Sequence, residues 1–268
     1  ILGIAQLDYL ELFQKFGYSY GNQASYRLDH IAFVVLGERK LSYEEYGNLF
    51  TLYKEDHQKF IDYNIKDVDL VDRIEDKMGL IVLAMTIAYK AGVNYTDTFG
   101  TTGIWDTIIY RYLCNKKIAV IPNIQKIKND YPGGYVKDPQ IGMHDWVCSF
   151  DLNSLYPNLI IQYNMSPETI VSDDMNPNAN VHKCLSGEVR NDSKYSMTAN
   201  GVYFRKDKRG VLPSIVAEYY AERVVVKNKM LDAHKLLEKS GKSYEVERDI
   251  NRYQNQQMAI KILLNSLN

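Results

Sequence analysis

The sequence has few of the features that mark a zinc site, a disulfide-stabilised fold or a membrane span. Its 268 residues include three cysteines without CxxC spacing (Cys114, Cys148 and Cys184) and five histidines without an HxxxH pair. An odd number of distant cysteines predicts reduced core thiols in a cytosolic setting. The longest apolar run, residues 79–88, is about half the length that spans a bilayer, and no signal peptide is visible. We therefore expect no zinc, no disulfide and no membrane partner, and the initial Ile1 predicts a piece of a longer protein.

Net charge gives no general indication of nucleic-acid binding, because it is only −1. The distribution is uneven: residues 205–261 carry 13 Lys and Arg against 8 Asp and Glu, and the remainder carries an excess of acid. This asymmetry fits a phosphate-binding element beside metal-binding carboxylates, and it also fits solvated helix faces. Charge alone favours the solvated faces.

The stretch Ser149–Pro157 combines a short apolar run with an acid and a turn. The apolar residues 146–150 predict a buried strand that ends at Asp151. A carboxylate at such a strand end can hold a divalent cation, since hard cations take oxygen ligands. Successive backbone N–H groups after the turn can face a phosphate, and Tyr156 can wall the same cavity. Taken alone, the pattern fits an ordinary strand and turn equally well.

Two further stretches change this interpretation: Arg223–Lys227, with the sequence RVVVK, and Lys261–Ser266, with the sequence KILLNS. In this order, the three stretches resemble motifs of the family B DNA polymerases, in particular the replicative polymerases of T4-like bacteriophages. Residues 151–157 resemble motif A of that family, and residues 261–266 resemble the start of motif B. The resemblance runs through nearly the whole chain. It implies a mixed, helix-rich α/β fold with an exonuclease tail, half of a palm and helical-hairpin fingers.

The resemblance also implies a domain organisation in four parts. These are the C-terminal part of a 3′–5′ exonuclease domain (1–72), a helical connector (73–130), the first half of the palm (131–208) and the fingers (209–268). Apolar periodicity predicts one long helix from Ile74 to Ala91 in the connector, and residues 118–122 are typical of a short strand. In the fingers, a helix to about residue 240 and a second from about Ser243 to Leu267 predict an antiparallel hairpin.

The resemblance implies that this chain carries part of a site for Mg²⁺ and an incoming dNTP. Asp151 and the carbonyl of Leu152 would ligate Mg²⁺, in a two-metal site whose second carboxylate this sequence lacks. The triphosphate would be held by backbone amides of Ser154, Leu155 and Tyr156 and by the cations Arg223, Lys227 and Lys261. Lys261 would help protonate the leaving pyrophosphate, and Asn265 would lie near the nascent base pair or the triphosphate. Tyr156 would pack under the sugar and exclude a 2′-hydroxyl.

Two other groups of residues resemble parts of the family that act on DNA. Tyr63 and Asp67 lie at i and i+4, which alone indicates an ordinary amphipathic helix. In the family, Asp67 would bind a metal and Tyr63 would position the attacking water of the proofreading exonuclease. The upstream D-x-E pair of that site is missing, so we expect no exonuclease activity. Tyr131, Gly133 and Gly134 resemble the family element that contacts DNA template–primer.

The sequence departs from the family pattern at its C-terminal end, where Asn265-Ser266-Leu267 is followed by Asn268 instead of Tyr-Gly. The Asp-Thr-Asp motif of the palm and a thumb are also missing, so we expect the isolated chain to be inactive. The alternatives are one half of a split polymerase with a complementary C-terminal chain, a non-catalytic dNTP- and DNA-binding fragment, a protein-primed polymerase and a degenerate remnant. The interval 157–260 shows no obvious insertion of the protein-primed type. A sliding clamp is an expected partner whose binding segment is absent, and the expected location is the host-cell cytoplasm.

Overall fold

The computed structural model describes residues 3–120, 136–191, 193–241 and 243–267. These residues form a mixed, helix-rich α/β fold, which confirms the predicted class. The helices are α1 Tyr9–Phe16, α2 Leu28–Leu36, α3 Leu49–Glu55, α4 His57–Met78, α5 Leu80–Ala91, α6 Thr101–Asn115, α7 Leu155–Tyr163, α8 Val181–Ser186, α9 Val211–Ser240 and α10 Tyr244–Asn265. The strands are β1 Ile170–Met175, β2 Ser196–Met197 and β3 Val202–Phe204.

The chain divides into two compact units. The first unit comprises Ile1–Ile104 and Val226–Ala259, and the second comprises Trp105–Val225 and Ile260–Asn268. Helices α9 and α10 each contribute residues to both units.

Side chains immediately before the helices fix where several helices of the first unit begin. Asp8 accepts a hydrogen bond from the backbone N–H of Leu10 at the start of α1. Asn48 and Asp56 do the same for the starts of α3 and α4. Such caps satisfy N–H groups that have no acceptor inside the helix. The core of this unit is apolar and fully buried, with Leu12, Leu52, Leu70, Ile74 and Ile87 among its largest members.

The predicted helix from Ile74 to Ala91 is wrong, because Gly79 divides it. Gly79 has a left-handed backbone with φ of 63° and ends α4, and α5 starts at Leu80. The N–H of Gly79 donates to the carbonyl of Glu75, and the Glu75 carboxylate accepts the N–H of Ile81 at the start of α5. A glycine in this conformation is a common helix stop. The predicted end at Gly92 is confirmed.

The second unit contains a small antiparallel sheet and the two helices that flank it in the sequence. The strand order is β1-β3-β2, and Phe204 of β3 lies opposite both Ile170 and Ser196. Helix α7 precedes the sheet and starts directly after Ser154, whose backbone is left-handed with φ of 52°. Helix α9 follows the sheet, and Ile215 and Val216 near its start are buried.

Two predicted strands are wrong where the structure can test them. Residues 146–150 belong to no strand: Trp146 has a left-handed backbone with φ of 57°, and Trp146 and Phe150 are 98% and 91% exposed. Cys148 in the same stretch is also exposed, so it is not the core thiol that was predicted. Residues 118–120 form no strand, and 121–122 lie outside the described residues. A strand needs a neighbour that takes up its backbone hydrogen bonds. No described segment pairs with either stretch.

The two helices predicted for residues 209–268 are confirmed as α9 and α10, with Gly241 in the turn between them at φ of 77°. Their packing as an antiparallel hairpin remains a prediction. Over the ranges that the structure describes, no helix is both long and apolar enough to cross a membrane.

Candidate functional site

The turn that follows Asp151 is held by local hydrogen bonds. The side-chain amide of Asn158 donates to the carbonyl of Asn153 at 3.0 Å, and the backbone N–H of Asn158 donates to the carbonyl of Ser154 at 3.0 Å. Because α7 begins at Leu155, the N–H groups of Leu155 and Tyr156 belong to its first turn and have no acceptor within the helix. Both side chains are exposed, Leu155 at 41% and Tyr156 at 57%. The first turn of α7 therefore offers free donors beside an accessible aromatic ring.

A cation of α9 lies against this turn. Nη1 of Arg223 lies 3.4 Å from Oγ of Ser154, and both residues belong to the second unit. Arg223 is half-buried, and its Nε is a buried donor without a hydrogen-bond partner. Lys227 lies one helical turn further along α9 and is exposed. The structure thus brings together Arg223 and Ser154, two residues that the sequence nominated separately.

Asp151 and Leu152 precede the turn and are exposed. The Asp151 carboxylate forms no hydrogen bond or ion pair with any other residue that the structure describes. Its oxygens and the Leu152 carbonyl are the donor type that Mg²⁺ takes in proteins. They fit as part of a coordination shell. The described residues contain no cluster of three side chains that could complete it.

Lys261 and Asn265 lie one turn apart on an exposed face of α10. The opposite face is buried through Ile260, Leu263 and Leu264. Neither Lys261 nor Asn265 forms a hydrogen bond with the turn after Asp151 in the described part of the chain. The structure therefore confirms their common helix face and leaves their predicted contact with nucleotide untested.

A family model for DNA polymerase family B matches residues 105–268, which is more than half of the chain. This chain belongs to DNA polymerase family B. The predicted resemblance is thereby confirmed. The matched region includes the turn after Asp151, residues 223–227 of α9 and residues 261–265 of α10. The three stretches that carried the prediction therefore lie inside it.

The chain is similar to two phage DNA-directed DNA polymerases over most of its length. It is 35% identical to the DNA-directed DNA polymerase of Escherichia phage RB69 over 236 residues, 88% of this chain and 26% of that protein. It is 30% identical to that of Enterobacteria phage T4 over 260 residues, 94% of this chain and 28% of that protein. A DNA polymerase of Pyrococcus glycovorans is 32% identical over 142 residues, 53% of this chain and 15% of that protein. The chain spans about a quarter of the length of the phage relatives.

The pair nominated for the exonuclease, Tyr63 and Asp67, lies on α4 beside a cation that the sequence did not reveal. Nζ of Lys40 lies 2.6 Å from Oδ2 of Asp67 and 4.7 Å from the centre of the Tyr63 ring. Burial lowers the pKa of Lys40, but its contacts with Asp67 and Tyr63 outweigh burial and raise the pKa overall. Oδ1 of Asp67 is buried without a partner. One carboxylate, already paired with an ammonium, does not fit a two-metal site.

A polar junction in the second unit joins the end of α7 to the start of α9, and it was not predicted from the sequence. Asn164, left-handed at φ of 58°, donates to the carbonyls of Arg205 and Lys208 and accepts the N–H of Gly210. Glu168 accepts the N–H of Val211 and the hydroxyl of Ser166. This junction fixes where the cationic helix starts relative to the helix that follows Asp151.

Tyr131, Gly133 and Gly134, the residues predicted to contact template–primer, lie outside the described residues.

Proposed function

We propose that this protein is a template-directed DNA polymerase of the phage replicative type, which adds dNTP to the 3′-hydroxyl of a primer. The observation that carries the proposal is the contact between Arg223 and Ser154. It places a guanidinium with an unused donor beside the open N–H groups of α7. Family membership and the similarity to phage DNA-directed DNA polymerases support the same activity.

In this proposal, the turn after Asp151 binds the triphosphate. The N–H groups of Leu155 and Tyr156, with that of Ser154, donate to phosphate oxygens, as free N–H groups at a helix start can. Arg223 adds a planar fork of donors that matches phosphate oxygens. Asp151 and the Leu152 carbonyl would hold Mg²⁺, which would supply positive charge to neutralise the phosphates.

Four further side chains select and neutralise the nucleotide. Lys227 and Lys261 bring compact positive charges to the triphosphate, and Lys261 donates a proton towards the leaving pyrophosphate. Asn265 contacts the nascent base pair or the triphosphate from the exposed face of α10. The exposed Tyr156 ring lies at the start of α7, where it would pack under the sugar and exclude a 2′-hydroxyl by steric contact.

We infer that the first part of the chain derives from a proofreading domain. Residues 1–72 would be the C-terminal part of the exonuclease, 73–130 the connector, 131–208 the first half of the palm and 209–268 the fingers. The i, i+4 position of Tyr63 and Asp67 on α4 and the similarity to phage DNA-directed DNA polymerases over most of this chain support the exonuclease assignment. This region is assigned no hydrolytic step, because Asp67 is paired with Lys40 and the described residues contain no group of three side chains that could hold a metal. Tyr131, Gly133 and Gly134 would contact template–primer, and the host-cell cytoplasm would be the site of action.

The proposal is tested by primer extension with Mg²⁺ and dNTPs. The chain is mixed with a separately expressed polypeptide that carries the Asp-Thr-Asp motif and thumb of a phage relative, because this sequence contains no Asp-Thr-Asp. We expect the mixture to extend the primer. Asp151→Ala should lower the rate at least about a hundredfold, since a bound metal contributes several kcal/mol of charge stabilisation.

Asp145→Ala is the matched control, because Asp145 is an exposed aspartate shortly before the same turn. Its rate should equal that of the wild type. A mixture that associates but extends no primer would contradict the proposed function. Equal loss in both variants would instead show that Asp151 has no specific role.

A further inference from the structure

Trp105 is buried in α6, a helix that contains none of the predicted site residues. Its side chain is 5% exposed. Its ring lies 6.4 Å from that of Tyr219 on α9, centre to centre, with a tilt of 45°. The indole N–H is a donor that costs free energy when it is buried without an acceptor. The acceptors of that N–H therefore identify the part of the fold that the indole holds in place.

The indole N–H of Trp105 donates to the last turn of α10. Nε1 lies 3.2 Å from the carbonyl oxygen of Leu263 and 3.0 Å from Oγ of Ser266. The Ser266 hydroxyl in turn donates to the same Leu263 carbonyl at 2.9 Å. The last four carbonyls of a helix lack the regular backbone partner. The Leu263 carbonyl accepts the backbone N–H of Ser266 at 3.2 Å, an N–H that it shares with the carbonyl of Ile262. The indole and the hydroxyl add two further donors to this carbonyl.

This turn also presents the two polar residues of the proposed nucleotide site on α10. Leu263 and Leu264 are buried on one side of the turn, and Lys261 and Asn265 are exposed on the other. Helix ends fray unless tertiary contacts or caps hold them. The direction of the Asn265 side chain thus depends on how firmly the turn is held at Leu263 and Ser266.

We propose that Trp105 is a positioning residue, which through its indole N–H fixes the last turn of α10 and so aims Asn265 and Lys261 at the incoming nucleotide. This role rests on the proposed function. The N–H belongs to a connector helix that no motif includes, so it links α6 to nucleotide selection without touching the nucleotide. All the residues in this hydrogen-bond set belong to the second unit.

The test compares Trp105→Phe with Ile108→Val in the full chain. Phe keeps an aromatic ring at the site and removes the N–H. Ile108 is 5% exposed on the same helix. Its change to Val therefore removes packing contacts and leaves the hydrogen bonds of Trp105 to Leu263 and Ser266 intact. Two quantities are measured well below the unfolding temperature: amide hydrogen exchange at residues 262–267, and the affinity of the chain for dATP with Mg²⁺ by titration calorimetry.

We expect Trp105→Phe to speed exchange at residues 262–267 about fivefold and to weaken dATP binding by a similar factor, because one net hydrogen bond is lost. Ile108→Val should change neither quantity. Unchanged exchange in Trp105→Phe would overturn the proposal, and so would faster exchange with unchanged affinity. If the wild-type chain binds no dATP, nucleotide binding by this chain fails and the positioning role fails with it. Equal dATP binding by wild type and Trp105→Phe would refute the positioning role alone.

Discussion

At the scale of single residues, Glu168 shows how one side chain can set the start of a functional helix. Its carboxylate accepts the N–H of Val211 in the first turn of α9 and the hydroxyl of Ser166. Burial raises the pKa of Glu168, but these hydrogen bonds and the nearby Lys208 outweigh burial and lower the pKa below its usual value of 4.5. The charged form is thus the one that stabilises the fold.

The stabilisation by Glu168 should depend on pH in a defined direction. Because the folded-state pKa is depressed, the stabilisation is fully present above about pH 4.5 and is lost as pH falls through the folded-state pKa. We expect Glu168→Gln to lower the free energy of unfolding by about 1 kcal/mol at pH 7. The difference from wild type should shrink below pH 4.5. Urea unfolding at a series of pH values measures it.

Glu238→Gln is the control for Glu168→Gln, because Glu238 is exposed near the far end of α9. It should have little effect at either pH. A pH-independent loss in Glu168→Gln would mean that the charge of the carboxylate is irrelevant and that only its shape matters.

At the scale of elements, Gly79 makes two helices out of one apolar run. The backbone of Gly79 is left-handed with φ of 63°, a conformation that is unfavourable for a residue with a Cβ. An added Cβ would also lie 3.3 Å from Nδ2 of Asn255. The side chain of Asn255 can shift, so the backbone conformation should dominate the cost. We expect Gly79→Ala to lower the free energy of unfolding by about 1–2 kcal/mol in urea.

Gly103→Ala provides the matched comparison for Gly79→Ala. Gly103 lies inside α6, with no left-handed backbone and nothing within 4 Å of an added Cβ. The same substitution should therefore be neutral or stabilising there, by up to about 1 kcal/mol. A loss of equal size at both positions would exclude the backbone explanation.

The same elements show what the sequence could and could not predict. The two helices of residues 209–268 were predicted well as α9 and α10, since the signals that start and end a helix are local. Gly79 was missed because apolar residues continue on both sides of it. The order of short motifs nominated Arg223 and Ser154. Their contact could not be predicted, because it is a tertiary contact between residues far apart in the sequence. Lys40 and Trp105 carried no local signal, because their partners Asp67 and Ser266 lie far along the chain.

At the scale of the whole molecule, the segment before Asp151 presents apolar side chains to solvent. Ile141, Met143, Trp146 and Phe150 are each more than 90% exposed. Contiguous exposed apolar residues often mark an interaction surface. Residues 146–150 form no strand in the structure, so we expect a partner polypeptide to cover their exposed apolar side chains.

Trp146 can report such covering, because the chain has only one other tryptophan, the buried Trp105. In a Trp105→Phe background, we expect the fluorescence of Trp146 to shift to shorter wavelength when the polypeptide with the Asp-Thr-Asp motif is added. The cause would be transfer of the ring from water into an apolar environment. In the matched Trp146→Phe background, Trp105 should show no shift, since it is already buried. If the two polypeptides associate and Trp146 still emits as an exposed residue, the apolar segment before Asp151 is not part of their interface. The proposed interaction surface would then be wrong, although Asp151 could still bind metal from this exposed segment.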